Sequence, residues 1–172
     1  MQQLDFYILD AIQGLKCSFL DTLMPLISAL GNDGLIWIAT AVVLMCIKHK
    51  RRIGISILGG LLTGLLFGNI ILKPLIARRR PCWIREGVEL LIQNPNDYSF
   101  PSGHTLSSFI AAFILFHFDR RLGTVALIIA SLIAFSRLYL YVHFPSDVIG
   151  GIILPALVAT LIICVQKRIK RD

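Results

Sequence analysis

Apolar and polar residues along this chain fall into long blocks rather than short alternations. Five apolar blocks have membrane-crossing character: Gly31–Ile47, Ile53–Leu72, Ser102–Phe118, Leu122–Ser136 and Val148–Gln166. The second and fifth carry no charged residue, and the shorter ones need interfacial residues to complete a span of about 20. Ahead of them, Leu4–Leu15 places apolar residues near helical spacing, with Asp5, Asp10 and Gln13 between them. Ser18–Leu30 is a second short apolar stretch, broken by Pro25. These predict an interfacial amphipathic helix and then a short, tilted sixth membrane helix. The expected fold is all-α: a polytopic transmembrane helical bundle of about five to six spans with an N-terminal amphipathic helix. Within the second block Gly60, Gly64 and Gly68 recur every fourth residue, a ladder that predicts close helix packing rather than a hinge.

Composition agrees. The 172 residues are 56% hydrophobic and 16% charged, against roughly 45–50% and about 25% in soluble domains. A soluble fold this small cannot hide so much apolar surface, which excludes a soluble, disordered or disulfide-stapled chain. The length predicts one domain over 1–172, with N-terminal helices in 1–30, a helical core in 31–166 and a basic tail in 167–172. Met1–Asp10 lacks the basic start of a cleavable signal, so the spans themselves are expected to direct insertion.

The net charge is +7, from 17 basic and 10 acidic residues. Their positions speak against a nucleic-acid partner, because the basic residues sit in clusters separated by long uncharged runs. Lys48–Arg52, Arg120–Arg121 and Lys167–Arg171 all fall on one side of the bundle, which the excess of cytoplasmic cations assigns to the cytoplasm, with the C-terminus. Arg78, Arg79, Arg80 and Arg85 then lie on the opposite side, against that rule, and are expected to serve another purpose; Arg78 and Arg79 are expected to extend a cationic mouth or to pair with Glu86, Glu89 or Asp97. Cys17, Cys46, Cys82 and Cys164 have no pair spacing, so neither a zinc site nor a disulfide framework is indicated.

Three groups of ionisable residues stand at the outer ends of the spans. They are Lys73-x6-Arg80-Pro81, Pro101-Ser102-Gly103-His104, and Ser136-Arg137-x5-His143-x3-Asp147. Ionisable groups at membrane helices are costly, so a shared site is expected. Arg80 and Arg137 offer planar forks that match phosphate oxygens, and Lys73 adds a point charge. Ser102 and Gly103 open a helix whose free N–H groups favour an anion. Two histidines can divide the work of nucleophile and proton donor, and Asp147 can orient an imidazole. His49 and His117 lack motif partners and are expected to be non-catalytic. A metal held by His104, His143 and Asp147 is disfavoured by the adjacent cations, so no metal ligand is assigned.

Together these motifs resemble the type-2 phosphatidic acid phosphatase superfamily, whose pattern K-x6-R-P, P-S-G-H and S-R-x5-H-x3-D occurs here complete and in order. The resemblance covers about Gly31 to Val165. It implies a helical membrane bundle with a cofactor-free, metal-independent site on the extracytoplasmic face. His143 would be the nucleophile, oriented by Asp147, and His104 would protonate the leaving oxygen and then activate water. Lys73, Arg80, Ser102, Gly103 and Arg137 would hold the phosphate. The implied function is an integral membrane lipid phosphatase acting on a phosphate monoester or diphosphate such as undecaprenyl diphosphate, phosphatidic acid or phosphatidylglycerol phosphate. The short loops look like bacterial members, in a multi-pass cell-membrane setting. A lipid phosphotransferase with the same site, or a non-catalytic anion-binding transporter, are the alternatives. The related vanadium haloperoxidases are soluble, unlike this composition.

Overall fold

The computed structural model describes residues 2–85 and 87–169. Glu86 and the last three residues of the expected basic tail therefore lie outside the described residues. The amphipathic helix expected at the N-terminus is α1 (Gln2–Gln13), and α2 (Ser18–Leu30) follows it. A short turn, Asn32–Gly34, leads into α3 (Leu35–Cys46). Beyond the basic turn at Lys48–Lys50, α4 (Arg51–Gly64) runs into a π-helical stretch, Leu65–Leu72, and the single turn α5 (Lys73–Ile76). Another single turn, α6 (Pro81–Ile84), precedes the long loop to α7 (Gly103–Phe118). The chain ends with α8 (Arg120–Tyr139) and α9 (Pro145–Ile169).

Among the described residues three helices are long and apolar enough to cross a bilayer: Lys48–Ile84 taken as one, Arg120–Tyr139 and Pro145–Gln166. The pair Ser18–Leu30 and Asn32–Cys46 passes the same test together, bent by 42° at the break between them. This corrects the expected boundaries. Pro25 lies inside α2 without ending it, and the break falls instead at Gly31–Gly34, where Asp33 (φ 52°) and Gly34 (φ 68°) take left-handed backbone conformations that a helix cannot continue through.

The shorter apolar helix α7 is enclosed by α4, α8 and α9. Its residues Thr105, Leu106, Ser108 to Ala112, Ile114 and Leu115 are buried, so α7 has almost no lipid-facing side. Close approach of α4 is what encloses it. A Cβ at Gly60 would stand 2.7 Å from Ile110, one at Gly64 2.4 Å from Ile110, and one at Gly68 2.3 Å from Leu106. The glycine ladder is therefore a packing surface, as its spacing predicts. On the outside of the bundle the apolar side chains are exposed at intervals of about one turn: Val125, Ile128 and Leu132 on α8, then Ile149, Ile153, Leu157 and Leu161 on α9. Such a continuous apolar face is stable in lipid and not in water.

The two ends of the bundle differ. Gly34, Lys73, His104, Arg137 and Pro145 lie at helix ends of one side, and α1 packs across that side against α8 and α9. Lys48–Arg52 and Asp119 mark the other, where Lys50 and Asp119 pair at 3.0 Å.

Candidate functional site

Each of the three motifs is delivered by the end of a helix. Lys73 follows the π-helical stretch and is buried; Ala77, at φ 48°, then turns the chain out of the helix, so Arg80 extends beside it. Ser102 is the N-cap of α7, its Oγ accepting from the Thr105 N–H at 3.5 Å and from the Thr105 hydroxyl at 2.9 Å. Arg137 sits in the last turn of α8, and Asp147 in the first turn of α9. His143 lies between those helices.

A cavity of about 1030 Å³ opens at this end of the bundle, lined by Lys73, Arg80, Gly103, His104, Arg137 and His143. Its other wall is apolar and follows α4 back to Leu58, about 20 Å along the helix from Lys73 at roughly 1.5 Å per residue. The space therefore has a cationic end and a long greasy flank. Asp147 and Ser102 are fully buried behind it. The Ser102 hydroxyl is engaged in the cap, so its contribution to an anion is to start the helix, leaving the first-turn N–H groups of Gly103 and His104 available.

Arg80 organises the cationic end. It is almost fully buried; Nε donates to the Asp97 carbonyl at 2.7 Å, Nη1 to the Val142 carbonyl at 2.7 Å, and Nη2 to Asp97 Oδ1 at 2.6 Å. Nη1 also lies 3.0 Å from His143 Nε2. A guanidinium can only donate, so Nε2 presents its lone pair there and the neutral ring carries its proton on Nδ1. Nδ1 faces inward, 3.4 Å from Ser99 Oγ and 3.6 Å from Asp147 Oδ2. Burial, and then the charges of Arg80, Arg137 and Lys73, push the His143 imidazole well below its usual range, so the neutral ring prevails. Asp147 Oδ2 accepts from the Phe144 N–H at 2.8 Å and from the Ser99 hydroxyl.

His104 lines the same cavity, its Nε2 2.9 Å from Asn32 Oδ1. Gly31 makes room for this ring, since a Cβ there would stand 2.8 Å from His104 Cδ2. Arg137 is buried with Nη1 on the Ser28 hydroxyl, and its Nε has no partner among the described residues. The side-chain oxygen of Asn69 is also buried without a partner among the described residues, and a Cβ on Gly103 would lie 3.1 Å from it. Two unsatisfied polar atoms beside one cavity are costly unless a ligand completes them.

All three motifs thus converge. The structure adds residues that the motif spacing left out: Ser99 between His143 and Asp147, Asn32 on His104, and Ser28 on Arg137. It also gives Arg78 partners other than those expected. Arg78 pairs with Asp5 and Asp147, neither of them the expected partner; Arg85 pairs with Asp10; and Asp97 goes to Lys73 and Arg80. Nothing in the sequence ties α1 to residues 78–85, so spacing alone does not reveal its two acidic partners. Among the described residues no three His, Cys, Asp or Glu side chains converge to hold a metal ion.

A family model described as the PAP2 superfamily matches residues 53–171. An undecaprenyl-diphosphatase of Sulfolobus acidocaldarius is 32% identical over 149 residues, 86% of this chain and 71% of that protein. The undecaprenyl-diphosphatase BcrC of Bacillus subtilis is 28% identical, over 92% of this chain and 82% of its own. Among solved structures, a transmembrane PAP2-type phosphatidylglycerolphosphate phosphatase from Bacillus subtilis superposes with a TM-score of 0.81 at 28% identity, covering 99% of this chain and 88% of that one. Aquifex aeolicus LpxE shares the fold, with a TM-score of 0.80 at 23% identity over 93% of this chain and 94% of its own.

Proposed function

The chain belongs to the PAP2 superfamily, and we propose that it is a multi-pass membrane enzyme that hydrolyses a lipid phosphate or diphosphate at the extracytoplasmic face, with undecaprenyl diphosphate or phosphatidylglycerol phosphate as the leading substrates. One domain carries the activity. The observation that carries this reading is the line Arg80–His143–Asp147 at the charged end of a cavity whose flank is apolar: a phosphate-sized cationic pocket joined to room for a lipid chain.

In this reading the terminal phosphate enters between Lys73, Arg80 and Arg137, completing the Arg137 Nε, while the lipid lies along α4. Arg80 Nη1 turns from Nε2 to a phosphate oxygen, the freed Nε2 lone pair of His143 attacks phosphorus, and the phosphorus–oxygen bond to the lipid breaks. The bonding electrons leave with that oxygen, which takes a proton from His104. Asp147 accepts the charge that builds on the ring through Nδ1, and Ser99 fixes the carboxylate that does so. His104 then takes a proton from water, whose oxygen attacks the phosphohistidine, and the phosphorus–nitrogen electrons return to Nε2. Cations aimed at the equatorial oxygens stabilise both transition states. The residues do the chemistry without a metal.

The test is phosphate release by purified protein from a panel of lipid phosphates, in detergent with excess chelator. Sustained turnover, inhibited by vanadate as an analogue of the five-coordinate phosphorus, is the expected result. Dependence on added magnesium or zinc overturns the metal-free mechanism, and failure on every lipid phosphate overturns the hydrolase reading.

A further inference from the structure

Asp147 has no exposed surface, and both of its oxygens are in use. Oδ2 serves Ser99, the Phe144 N–H and the Nδ1 side of His143; Oδ1 accepts from Arg78 Nη1. The same guanidinium donates through Nη1 to Ser146 Oγ at 2.7 Å and through Nη2 to Asp5 Oδ2 at 2.7 Å, with its plane carbon 4.2 Å from the centre of the Phe144 ring. Asp5, on α1, is buried and accepts as well from the Ser146 N–H at 3.1 Å and the Ser146 hydroxyl at 2.6 Å. Beside it Phe6 packs edge-on against Phe144, 5.1 Å between centroids. Arg78 therefore clamps the first turn of α9 from behind and is itself clamped by the N-terminal helix.

We propose that Arg78 is a positioning residue for catalysis, acting through Asp147, and that Asp5 of α1 holds it in place. The inference rests on the reading of His143 as nucleophile. Arg78 is not among the residues lining the cavity, which sets it apart from Lys73, Arg80 and Arg137, and each of its two terminal nitrogens already has a carboxylate partner, Asp147 on one and Asp5 on the other. A carboxylate with no solvent contact needs a cation beside it to remain ionised. Without Arg78 it takes up a proton or rotates, and either change removes the acceptor for the Nδ1 proton of His143. The spacing leaves little tolerance: Oδ2 stands 3.6 Å from Nδ1, beyond a good hydrogen bond, so a small rotation about the carboxylate decides whether the two engage. Asp5 matters for a related reason. A guanidinium bound on one side only is free to swing, whereas the two-sided clamp fixes it. The amphipathic α1 is thus part of the catalytic apparatus as well as an interfacial element.

The experiment compares full-length wild type, Arg78→Gln, Arg78→Lys, Asp5→Asn, Asp147→Asn and Arg78→Gln/Asp147→Asn in detergent, with kcat and KM from phosphate release and Tm measured in parallel. Arg78→Gln is expected to lower kcat about 30-fold or more with KM within about threefold, because it perturbs the chemical step and not the cradle. Arg78→Lys, which keeps the charge, recovers a substantial part of that loss. On the Asp147→Asn background the same Gln substitution costs less than about twofold, since the group it acts through is already gone. Asp5→Asn lowers kcat in the same direction by about three- to tenfold, and if Arg78→Gln does not fold, Asp5→Asn with and without Asp147→Asn carries the test alone. Losses that multiply in the double variant overturn the proposal, as does a rise in KM at unchanged kcat, which marks a direct substrate contact. An active wild type with an indifferent Arg78→Gln overturns this inference only; a wild type that releases no phosphate from any lipid overturns the hydrolase reading beneath it.

Discussion

Asp97 occupies Arg80 from two directions, its carbonyl accepting from Nε at 2.7 Å and its Oδ1 from Nη2 at 2.6 Å. The other carboxylate oxygen meets Lys73. Two of the three cations proposed to hold phosphate are therefore bridged by a carboxylate from the loop before α7, in the manner that a phosphate would bridge them. Burial alone raises the Asp97 carboxyl, but hydrogen bonding and charge from Lys73, and then Arg80, outweigh it and hold the group below the usual carboxylate range.

From that arrangement a binding phosphate has to displace the Asp97 side chain or share the cations with it. Asp97→Asn should let vanadate and inorganic phosphate inhibit at concentrations lower by about three- to fivefold, the effect of a half-exposed ion pair worth under about 1 kcal/mol. The sign with pH is fixed by the depressed carboxyl: its stabilising contribution is complete above about pH 4, the unfolded value, and is lost only as pH falls below that. Inhibition should therefore not sharpen between pH 7 and pH 5 through Asp97. Unchanged or weaker inhibition in Asp97→Asn would mean that the carboxylate braces Arg80 and does not compete for it.

For His143 the expected loss is far larger. His143→Ala should lower turnover by several orders of magnitude, because no neighbouring group can take the phosphoryl transfer over. Its buried neutral ring also has a pH signature. The folded state resists protonation, so the unfolded chain binds the extra proton first, and stability falls as pH drops below about 6.5 until the depressed folded value is reached. Thermal melts should show a shallower acid slope in His143→Ala than in wild type. Near-normal turnover in a folded variant would overturn the nucleophile assignment.

What was legible in the sequence was whatever a helix end and a fixed spacing could carry. Lys73 and Arg80, the Ser102–His104 turn, and Arg137, His143 and Asp147 each sit where a span stops, and the structure gathers them around one cavity. The glycine ladder was equally readable, since its period is that of the helix it lies on. The supporting residues were not. Ser99 meets His143 across 44 residues, Asn32 meets His104 across 72, and Asp5 meets Ser146 across 141. Contacts of that range are decided by how α1, α2 and the loop before α7 fold over the cavity end of the bundle, and no local period encodes them. Pro25 misled because an imino residue usually ends a helix, yet the backbone that actually breaks is the left-handed pair Asp33 and Gly34.

The proposed orientation has reporters already in the chain. Cys17 is exposed between α1 and α2 on the side of the site, and Cys46 is exposed at the far end of α3, next to Lys48. In single-cysteine variants on intact cells, an impermeant maleimide should label Cys17 and leave Cys46 unmodified until the membrane is opened. The reverse pattern would place the cavity in the cytoplasm and break the charge rule used to orient the spans.

The arginines separate a shaped cradle from a diffuse positive field. Arg137 carries a buried Nε without a partner among the described residues, whereas each nitrogen of Arg80 is already engaged by Asp97, Val142 or His143. Lysine at either position keeps the charge and loses the planar fork. Arg137→Lys should lower kcat/KM by about 100-fold, near 3 kcal/mol, the scale of one lost transition-state donor. Because that substitution also removes an unsatisfied buried donor, its Tm should stay close to wild type. Arg80→Lys should cost at least as much activity and should lower Tm besides, since the bonds to the Asp97 and Val142 carbonyls go with the guanidinium. Arg79, exposed and bonded among the described residues to the Trp83 carbonyl at 3.0 Å, is the control, and Arg79→Lys should lose less than about tenfold. A field effect would strike adjacent positions alike. Equal losses at Arg79 and Arg80, measured as kcat/KM on the same lipid phosphate, would therefore remove the bidentate cradle from the mechanism and leave only charge.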